Sequence, residues 1–185
     1  MRFKGPLVSG QLIKRYKRFL ADVLLDTGET ITAACPNTGS MLGLNDPGNT
    51  VWLSRSASPT RKYPFTWELV EIPNIGLVGI NTAHPNHIVA AAIAGNKIEA
   101  LAGYGSARRE VKYGLNSRID ILLEDSSLPP CYVEVKNVHF FRKPGLAEFP
   151  DCVTTRGTEH RAELSKMGRD VSRTILVYFT QSDTP

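Results

Sequence analysis

Short runs of alternating apolar and polar residues fill the first 80 positions of the chain. Turn-forming sequences such as Asp26-Thr27-Gly28-Glu29 separate these runs. Alternation with a period of two is typical of strands that bury one face. The predicted strands cover residues 7–13, 19–25, 30–35, 51–53 and 67–72. Short strands in this number predict an all-β, OB-like barrel, although an SH3-like barrel gives much the same pattern.

The second part of the chain has longer apolar runs. Residues 117–123 and 131–137 are rich in Ile, Leu, Val and Tyr, and the polar, proline-containing segment between them predicts a hairpin. The apolar spacing over 86–94, ended by Gly95-Asn96, predicts a helix. The remaining predictions are a loop over 140–145, a helix over 154–167 and a buried strand over 175–179. This order predicts an α/β domain with a βαβ crossover.

Three polar side chains interrupt the apolar hairpin, namely Asp120 in the first strand and Glu134 and Lys136 in the second. Because side chains alternate along a strand, Glu134 and Lys136 share one face, and Val133 and Val135 share the other. If Asp120 lies opposite Glu134 or Lys136, two carboxylates and an ammonium converge. Carboxylates suit Mg²⁺ or Mn²⁺, and a neighbouring lysine can activate a water or stabilise charge on phosphorus. The alternative is an ordinary hairpin with a salt bridge on a solvated face.

The Asp120 and Glu134-Val135-Lys136 arrangement resembles the PD-(D/E)xK nuclease superfamily. Further blocks, including Cys35-Pro36-Asn37-Thr38-Gly39, make the chain similar over nearly its whole length to the sugar fermentation stimulation protein A (SfsA) family. The blocks, in family order, are residues 15–23, 35–41, 61–64, 66–69, 110–114, 117–120, 134–138 and 149–151. The resemblance implies an OB-like five-stranded barrel in residues 1–80 and a restriction-endonuclease-like α/β/α domain with a mixed central sheet in residues 81–185.

The same resemblance implies roles for the hairpin residues. Asp120 and Glu134 would hold the metal, and Lys136 would assist attack on a phosphodiester. In the superfamily the first helix of this domain often supplies another acidic residue, but here its first turn holds Asn86. We therefore assign the additional catalytic carboxylate to Glu110, with Glu99 as the alternative, although a surface charge fits either residue equally well.

Basic and aromatic residues interleave in residues 14–19, a combination that contacts phosphates and stacks bases. An edge strand protected by lysines is the alternative interpretation. The arginine before Asp120 could clamp a phosphate or orient the aspartate. The predicted nucleic-acid-binding residues are Arg15, Lys17, Arg18, Arg61, Lys62 and Arg118.

Composition changes this picture little. The 185 residues carry a net charge of +4, a mild bias towards a polyanionic partner. The three cysteines form no CxxC pair, no signal-peptide core begins the chain, and no apolar run approaches the ~20 residues of a membrane span. We therefore expect a cytoplasmic protein without a membrane partner. A homodimer would allow paired cuts, but no feature of the sequence demands one.

Two functions fit the sequence. The favoured one is a divalent-metal-dependent nuclease that hydrolyses phosphodiester bonds of DNA or RNA, with the OB-like domain holding the nucleic acid. The alternative is a non-enzymatic DNA-binding regulator of sugar-utilisation genes, as the family name suggests. A sugar-modifying enzyme has little support, because the chain has no phosphate loop or dinucleotide fingerprint. Family members usually continue with another helix and strand, so we expect either a short form or a truncated chain.

Overall fold

The computed structural model describes residues 2–113, 117–138, 140–143, 146–148 and 172–182. They divide into two compact units, one with residues 2–83 and the described parts of 138–148 and 180–182, the other with the described parts of 84–137 and 172–179. Within these residues, no helix has the length and apolar composition needed to cross a membrane. The elements are β1 (Val8–Tyr16), β2 (Leu20–Leu25), β3 (Thr30–Ala34), β4 (Thr50–Arg55), β5 (Phe65–Ile72), β6 (Gly76–Gly79), α1 (Pro85–Ala94), a 3-10 turn (Glu99–Leu101), β7 (Ser106–Tyr113), β8 (Ser117–Glu124), β9 (Cys131–Val138), β10 (Phe140–Lys143), β11 (Leu146–Glu148) and β12 (Arg173–Thr180).

The first unit contains a closed barrel. Its strands follow the order β3-β2-β1-β4-β5-β6, and a parallel pair that includes Ala33 and Phe65 joins β3 to β5. Alternate side chains fill the interior, and Val23, Leu53 and Trp67 are each 0% exposed. The predicted OB-like barrel is therefore confirmed, as is the position of Trp67 in the core.

Local geometry in the barrel follows the turn and small residues. The N–H of Gly28 donates to Leu25 O at 2.8 Å in the β2–β3 turn, and its φ of 87° is a conformation that glycine adopts without steric cost. At Gly10, where β1 passes β2, an added Cβ would lie 2.6 Å from Leu24 O. The close approach of these two strands therefore depends on the absence of a side chain at that position.

The second unit contains a four-stranded sheet in the order β12-β9-β8-β7. The β7–β8 and β8–β9 pairs are antiparallel. Arg173 N donates to Pro130 O at 2.8 Å, and because these residues stand at the starts of β12 and β9, the two neighbouring strands run parallel. Val89 and Ile93 of α1 pack in one cluster with Ile121 of β8. The predicted mixed sheet is confirmed.

Some predicted elements differ from the structure. Strand β7 was missed because six of its eight residues are exposed, which leaves little apolar alternation to recognise. The predicted loop over 140–145 is wrong, since β10 and β11 pair there. The strand predicted to be buried over 175–179 is β12, which alternates between half-buried and exposed positions. Ile175, Val177 and Phe179 on one face pack against the core, whereas Leu176 and Tyr178 on the other face are exposed. The predicted helix over 154–167 lies outside the described residues.

Candidate active site

Asp120 lies where the backbone pairing of β8 and β9 ends. The last backbone pair joins Ile121 to Val133, and the same register continued by one residue would put Asp120 across from Glu134. Oδ2 of Asp120 accepts a hydrogen bond from Val135 N at 2.8 Å. The carboxylate thus takes the place of a main-chain acceptor, which fixes its position at the opening between the strands.

Helix α1 supplies a second donor to this carboxylate. Pro85 begins the helix, where its missing N–H costs no hydrogen bond, and Asn86 follows in the first turn. Asn86 Nδ2 donates to Asp120 Oδ1 at 2.7 Å. Each oxygen of Asp120 therefore accepts one hydrogen bond and retains a further lone pair. The sequence marked Asn86 only as a replacement for an acidic residue, and its place in the first helical turn was the available signal for this contact.

Glu134 and Lys136 form an ion pair on one face of β9. Lys136 Nζ lies 2.5 Å from Glu134 Oε1, and the two side chains are 24% and 7% exposed. Val133 and Val135, which stand on either side of Glu134 in the sequence, are buried, as the alternation predicts for the apolar face. The Asp120 carboxylate meets β9 at Val135, the residue between Glu134 and Lys136, so the three predicted residues occupy the same end of the β8–β9 ladder.

Glu110 occupies an unusual backbone conformation in β7. The neighbouring pairs Arg109–Ile121 and Val111–Ile119 place Glu110 across from Asp120. The φ angle of Glu110 is 54°, a left-handed value that costs a residue other than glycine about 1–2 kcal/mol. Backbone strain of this kind is often found at functional sites. The role of Glu110 as an additional catalytic carboxylate stays a prediction.

One polar pair beside this group was missed from the sequence. His87 follows Asn86 in α1, and its Nδ1 lies 3.0 Å from Arg109 Nη1 on β7. Both residues are exposed. Arg109 pairs with Ile121, the residue that follows Asp120, so its guanidinium adds a positive charge on the strand beside Asp120. Coulomb attraction would draw an anionic substrate towards this charge. The exposed, irregular pattern of β7 gave no signal for this contact.

The predicted nucleic-acid-binding residues are distributed over both units. Arg118 stands two residues before Asp120 on β8 and is exposed. Lys17 and Arg18 form the exposed β1–β2 turn, both with positive φ, at 51° and 65°.

The Arg15 side chain instead contacts the main chain. Its Nη2 donates to three carbonyls, those of Arg18, Asn37 and Gly39, at 2.8–2.9 Å. Its role in nucleic-acid binding stays a prediction, beside a clear role in holding the loop at residues 37–39. Arg61 and Lys62 are exposed in the β4–β5 connection.

The oxygen donors are suitable for a hard divalent cation. Asp120 and Glu134 offer carboxylate oxygens from neighbouring strands, which is the donor type that Mg²⁺ and Mn²⁺ prefer. In the part of the chain that the structure describes, no group of three or more His, Cys, Asp and Glu side chains could hold a metal ion. A cation here would accordingly take its other ligands from water, from main-chain oxygen or from substrate, as Mg²⁺ commonly does.

Comparisons with known proteins cover both units. The family model described as the SfsA N-terminal OB domain matches residues 13–80, and the one described as the sugar fermentation stimulation protein RE domain matches residues 83–184. The sugar fermentation stimulation protein homologue of Azorhizobium caulinodans is 56% identical over 185 residues, which cover 98% of this chain and 78% of the relative. The homologue of Rhodospirillum centenum is 59% identical over 181 residues, which cover 98% of this chain and 77% of the relative.

A solved structure agrees with these matches. SfsA of Pyrococcus furiosus, described as a complex with Ca²⁺, superposes with a TM-score of 0.85 and 26% sequence identity, covering 100% of this chain and 76% of that one. The chain therefore belongs to the sugar fermentation stimulation protein (SfsA) family.

Proposed function

We propose that the chain is a divalent-metal-dependent nuclease that hydrolyses phosphodiester bonds of DNA or RNA. The observation that carries this proposal is the contact of the Asp120 carboxylate with the main chain of β9 at Val135, between Glu134 and Lys136, whose side chains lie 2.5 Å apart. The family matches are compatible with it but name no reaction.

Each of these residues has a defined task in the proposed reaction. Asp120 and Glu134 hold Mg²⁺ or Mn²⁺, and Asn86 Nδ2 and Val135 N keep the Asp120 carboxylate in one orientation. The bound cation supplies Lewis-acid stabilisation of the charge that develops at phosphorus. Lys136 Nζ orients the attacking water or stabilises the phosphoryl oxygens. Glu110 is the candidate for a further carboxylate.

The relative from Pyrococcus furiosus supports the metal assignment. That protein is described as a complex with Ca²⁺. Ca²⁺, Mg²⁺ and Mn²⁺ all prefer oxygen ligands, and the Asp120 and Glu134 carboxylates provide them here. We therefore propose Mg²⁺ or Mn²⁺ as the cofactor of this chain and DNA or RNA as its partner.

A non-enzymatic DNA-binding regulator of sugar-utilisation genes is the second candidate. The observation that favours it is the shared name of the curated relatives, which refers to stimulation of sugar fermentation. In this alternative the acidic group has no catalytic role, so its removal leaves every DNA-dependent activity unchanged.

Cleavage of labelled single-stranded DNA, duplex DNA and RNA with Mg²⁺ or Mn²⁺ separates the two candidates. Wild type should cleave at least one substrate, and Glu134→Gln and Lys136→Met should each lower the rate about 100-fold or more. Glu124→Gln is the matched control, because this carboxylate lies on the same hairpin and pairs with Arg108 at 2.8 Å. Binding without metal-dependent cleavage of any substrate would overturn the nuclease and favour the regulator.

A further inference from the structure

A cavity of about 450 Å³ opens on the barrel unit, and none of its lining residues is among those assigned to catalysis from the sequence. The β2–β3 turn, strand β3, the end of β4 and the segment before β5 surround it. The side chains that matter for its chemistry are Glu29, Arg55, Lys62, Tyr63 and Phe65. This volume is within the range of small-molecule binding sites. Lys62 of this set belongs to the predicted nucleic-acid-binding residues.

Two cations in the lining lie over aromatic rings. The Arg55 guanidinium carbon is 5.8 Å from the centre of the Phe65 ring, and these residues face each other in the β4–β5 register. Lys62 Nζ is 5.4 Å from the centre of the Tyr63 ring. Cation–π contact places each positive charge beside a flat apolar surface. The lining therefore combines stacking surfaces with charges that attract phosphate.

The charge balance of the cavity favours an anionic ligand. Among the described residues, neither Arg55 nor Lys62 forms an ion pair with a carboxylate within 4.0 Å. Glu29 contributes the single negative charge among the five chemically important lining side chains. Its carboxylate can accept a hydrogen bond from an amino group, as carboxylates do when they recognise cytosine.

We propose that this cavity binds one nucleotide unit. The base stacks on Tyr63 and Phe65, the phosphate contacts Arg55 and Lys62, and Glu29 accepts a hydrogen bond from an exocyclic amino group. Cytosine, adenine and guanine carry such a group, whereas thymine and uracil do not. The proposal rests on the proposed function in that it takes nucleic acid as the ligand. It adds a nucleotide-binding pocket to the barrel and a preference for amino-bearing bases.

Fluorescence anisotropy of the full chain tests the stacking surface, with labelled 12-nucleotide dC and dT single strands in EDTA. Tyr63→Leu should weaken binding of the dC strand about ten-fold, because it removes the ring but keeps an apolar side chain. Tyr63→Phe keeps the ring and should bind within about two-fold of wild type. Equal affinity of Tyr63→Leu and wild type would overturn the proposal, provided that urea denaturation shows both to be folded.

Two exposed residues test the polar contacts without disturbing the core. Lys62→Gln should lower the affinity for the strand and reduce the slope of log affinity against log salt concentration by about one unit, the amount expected for one lost phosphate contact. Lys4→Gln, which removes an exposed charge of the same unit, should leave both the affinity and the slope unchanged. Glu29→Gln should lower the preference for the dC strand over the dT strand several-fold, since an amide no longer discriminates between the two bases. An unchanged preference would overturn the role of Glu29.

The source of the nucleotide is tested in the same assay. If free CMP displaces the strand, the pocket accepts a free nucleotide; if only unlabelled strand displaces it, the pocket serves a nucleotide within a chain. Because EDTA removes divalent metal, binding is measured without cleavage. If wild type cleaves no substrate but binds the strand in a way that depends on Tyr63, the proposed nuclease is overturned and the nucleotide pocket is supported. If wild type cleaves a substrate but substitutions of Tyr63, Lys62 and Glu29 leave binding unchanged, the nuclease is supported and the nucleotide pocket is overturned.

Discussion

The side chain of Asp120 accepts a hydrogen bond from the main-chain N–H of Val135 at 2.8 Å. This hydrogen bond lies next to Ile121 and Val133, the pair at which the backbone pairing of β8 with β9 ends. A half-buried carboxylate here satisfies a strand donor that has lost its main-chain acceptor. Asp120 therefore has a structural task as well as the proposed catalytic one, and substitutions can separate the two.

Asp120→Ala should destabilise the fold more than Asp120→Asn does. Alanine leaves Val135 N–H and Asn86 Nδ2 without their acceptor, at a cost of roughly 1–3 kcal/mol. Asparagine keeps one oxygen for Val135, and Asn86 can turn its amide to accept from the new NH₂ group, so the cost should stay below about 1 kcal/mol. Urea denaturation measures both values.

The same pair of variants separates stability from metal binding. Both substitutions remove the carboxylate, so both should abolish Mg²⁺-dependent cleavage although their stabilities differ. Equal free energies of unfolding for the two variants would show that the hydrogen bonds to Asp120 contribute nothing. Full cleavage by Asp120→Asn would show that Asp120 is not a metal ligand.

Lys136→Met should lower stability by roughly 2 kcal/mol. The substitution removes the ammonium that lies 2.5 Å from Glu134, whose side chain is only 7% exposed. Breaking a fully buried pair costs about 3–5 kcal/mol, and the 24% exposure of Lys136 reduces that figure. Thermal unfolding without divalent metal measures the loss.

Mg²⁺ should restore part of this stability, because a cation held by Asp120 and Glu134 supplies the missing positive charge. The melting temperature of Lys136→Met should therefore rise more with Mg²⁺ than that of wild type. Glu134→Gln/Lys136→Met, which has neither charge, is the control and should respond least. Equal responses of all three proteins would contradict a cation site at Glu134.

Alkaline pH should destabilise the barrel through Cys35. Burial raises the pKa of this thiol, which is only 2% exposed. The folded chain then holds its proton to a higher pH than the unfolded chain, whose thiol titrates near about 8.5. The resulting stability is complete below that pH and is lost as pH rises through the raised pKa. Unfolding free energies from pH 7 to 10 should fall for wild type and fall less steeply for Cys35→Ala.

Cys131 provides an internal comparison for this experiment. Its thiol is also buried, and burial raises its pKa as well. Replacing both cysteines should flatten the pH profile further than replacing Cys35 alone. Each thiol can contribute at most about 1.4 kcal/mol per pH unit. A slope unaffected by either substitution would contradict the link between thiol burial and alkaline stability.

The catalytic candidates were predictable because strand alternation is a short-range rule. The spacing of Glu134 and Lys136 places both on one face of β9, and the apolar runs on either side identify central strands. The partner of Asp120 was left open between Glu134 and Lys136. In the structure the backbone pairs end at Ile121 and Val133, and the Asp120 carboxylate instead accepts a hydrogen bond from Val135 N, between the two candidates. Strand alternation could not predict this contact, because register depends on pairing along the whole hairpin.

Contacts between distant segments were not predictable in the same way. The charge and aromatic neighbours of Arg15 favoured nucleic-acid binding, but its Nη2 group contacts main-chain carbonyls at Asn37 and Gly39, 22 and 24 residues away. Likewise, neither Arg55 nor Glu29 lies in a sequence motif that predicts a binding role. They line one cavity only because the β3–β5 pair closes the barrel. Side chains that acquire a role through barrel closure carry no local sequence signal.

Gly10→Ala should destabilise the barrel by roughly 1–3 kcal/mol, because β1 and β2 would have to separate. An added Cβ would lie 2.6 Å from Leu24 O and 2.8 Å from Val23 Cγ1, and the first of these atoms belongs to the backbone. Gly5→Ala is the matched control, since a Cβ there would meet nothing within 4 Å. Urea denaturation should therefore move the midpoint only for Gly10→Ala. A shift of similar size in both variants would mean that the loss comes from the change of residue type, and close packing of β1 on β2 would then not be the reason for a glycine at position 10.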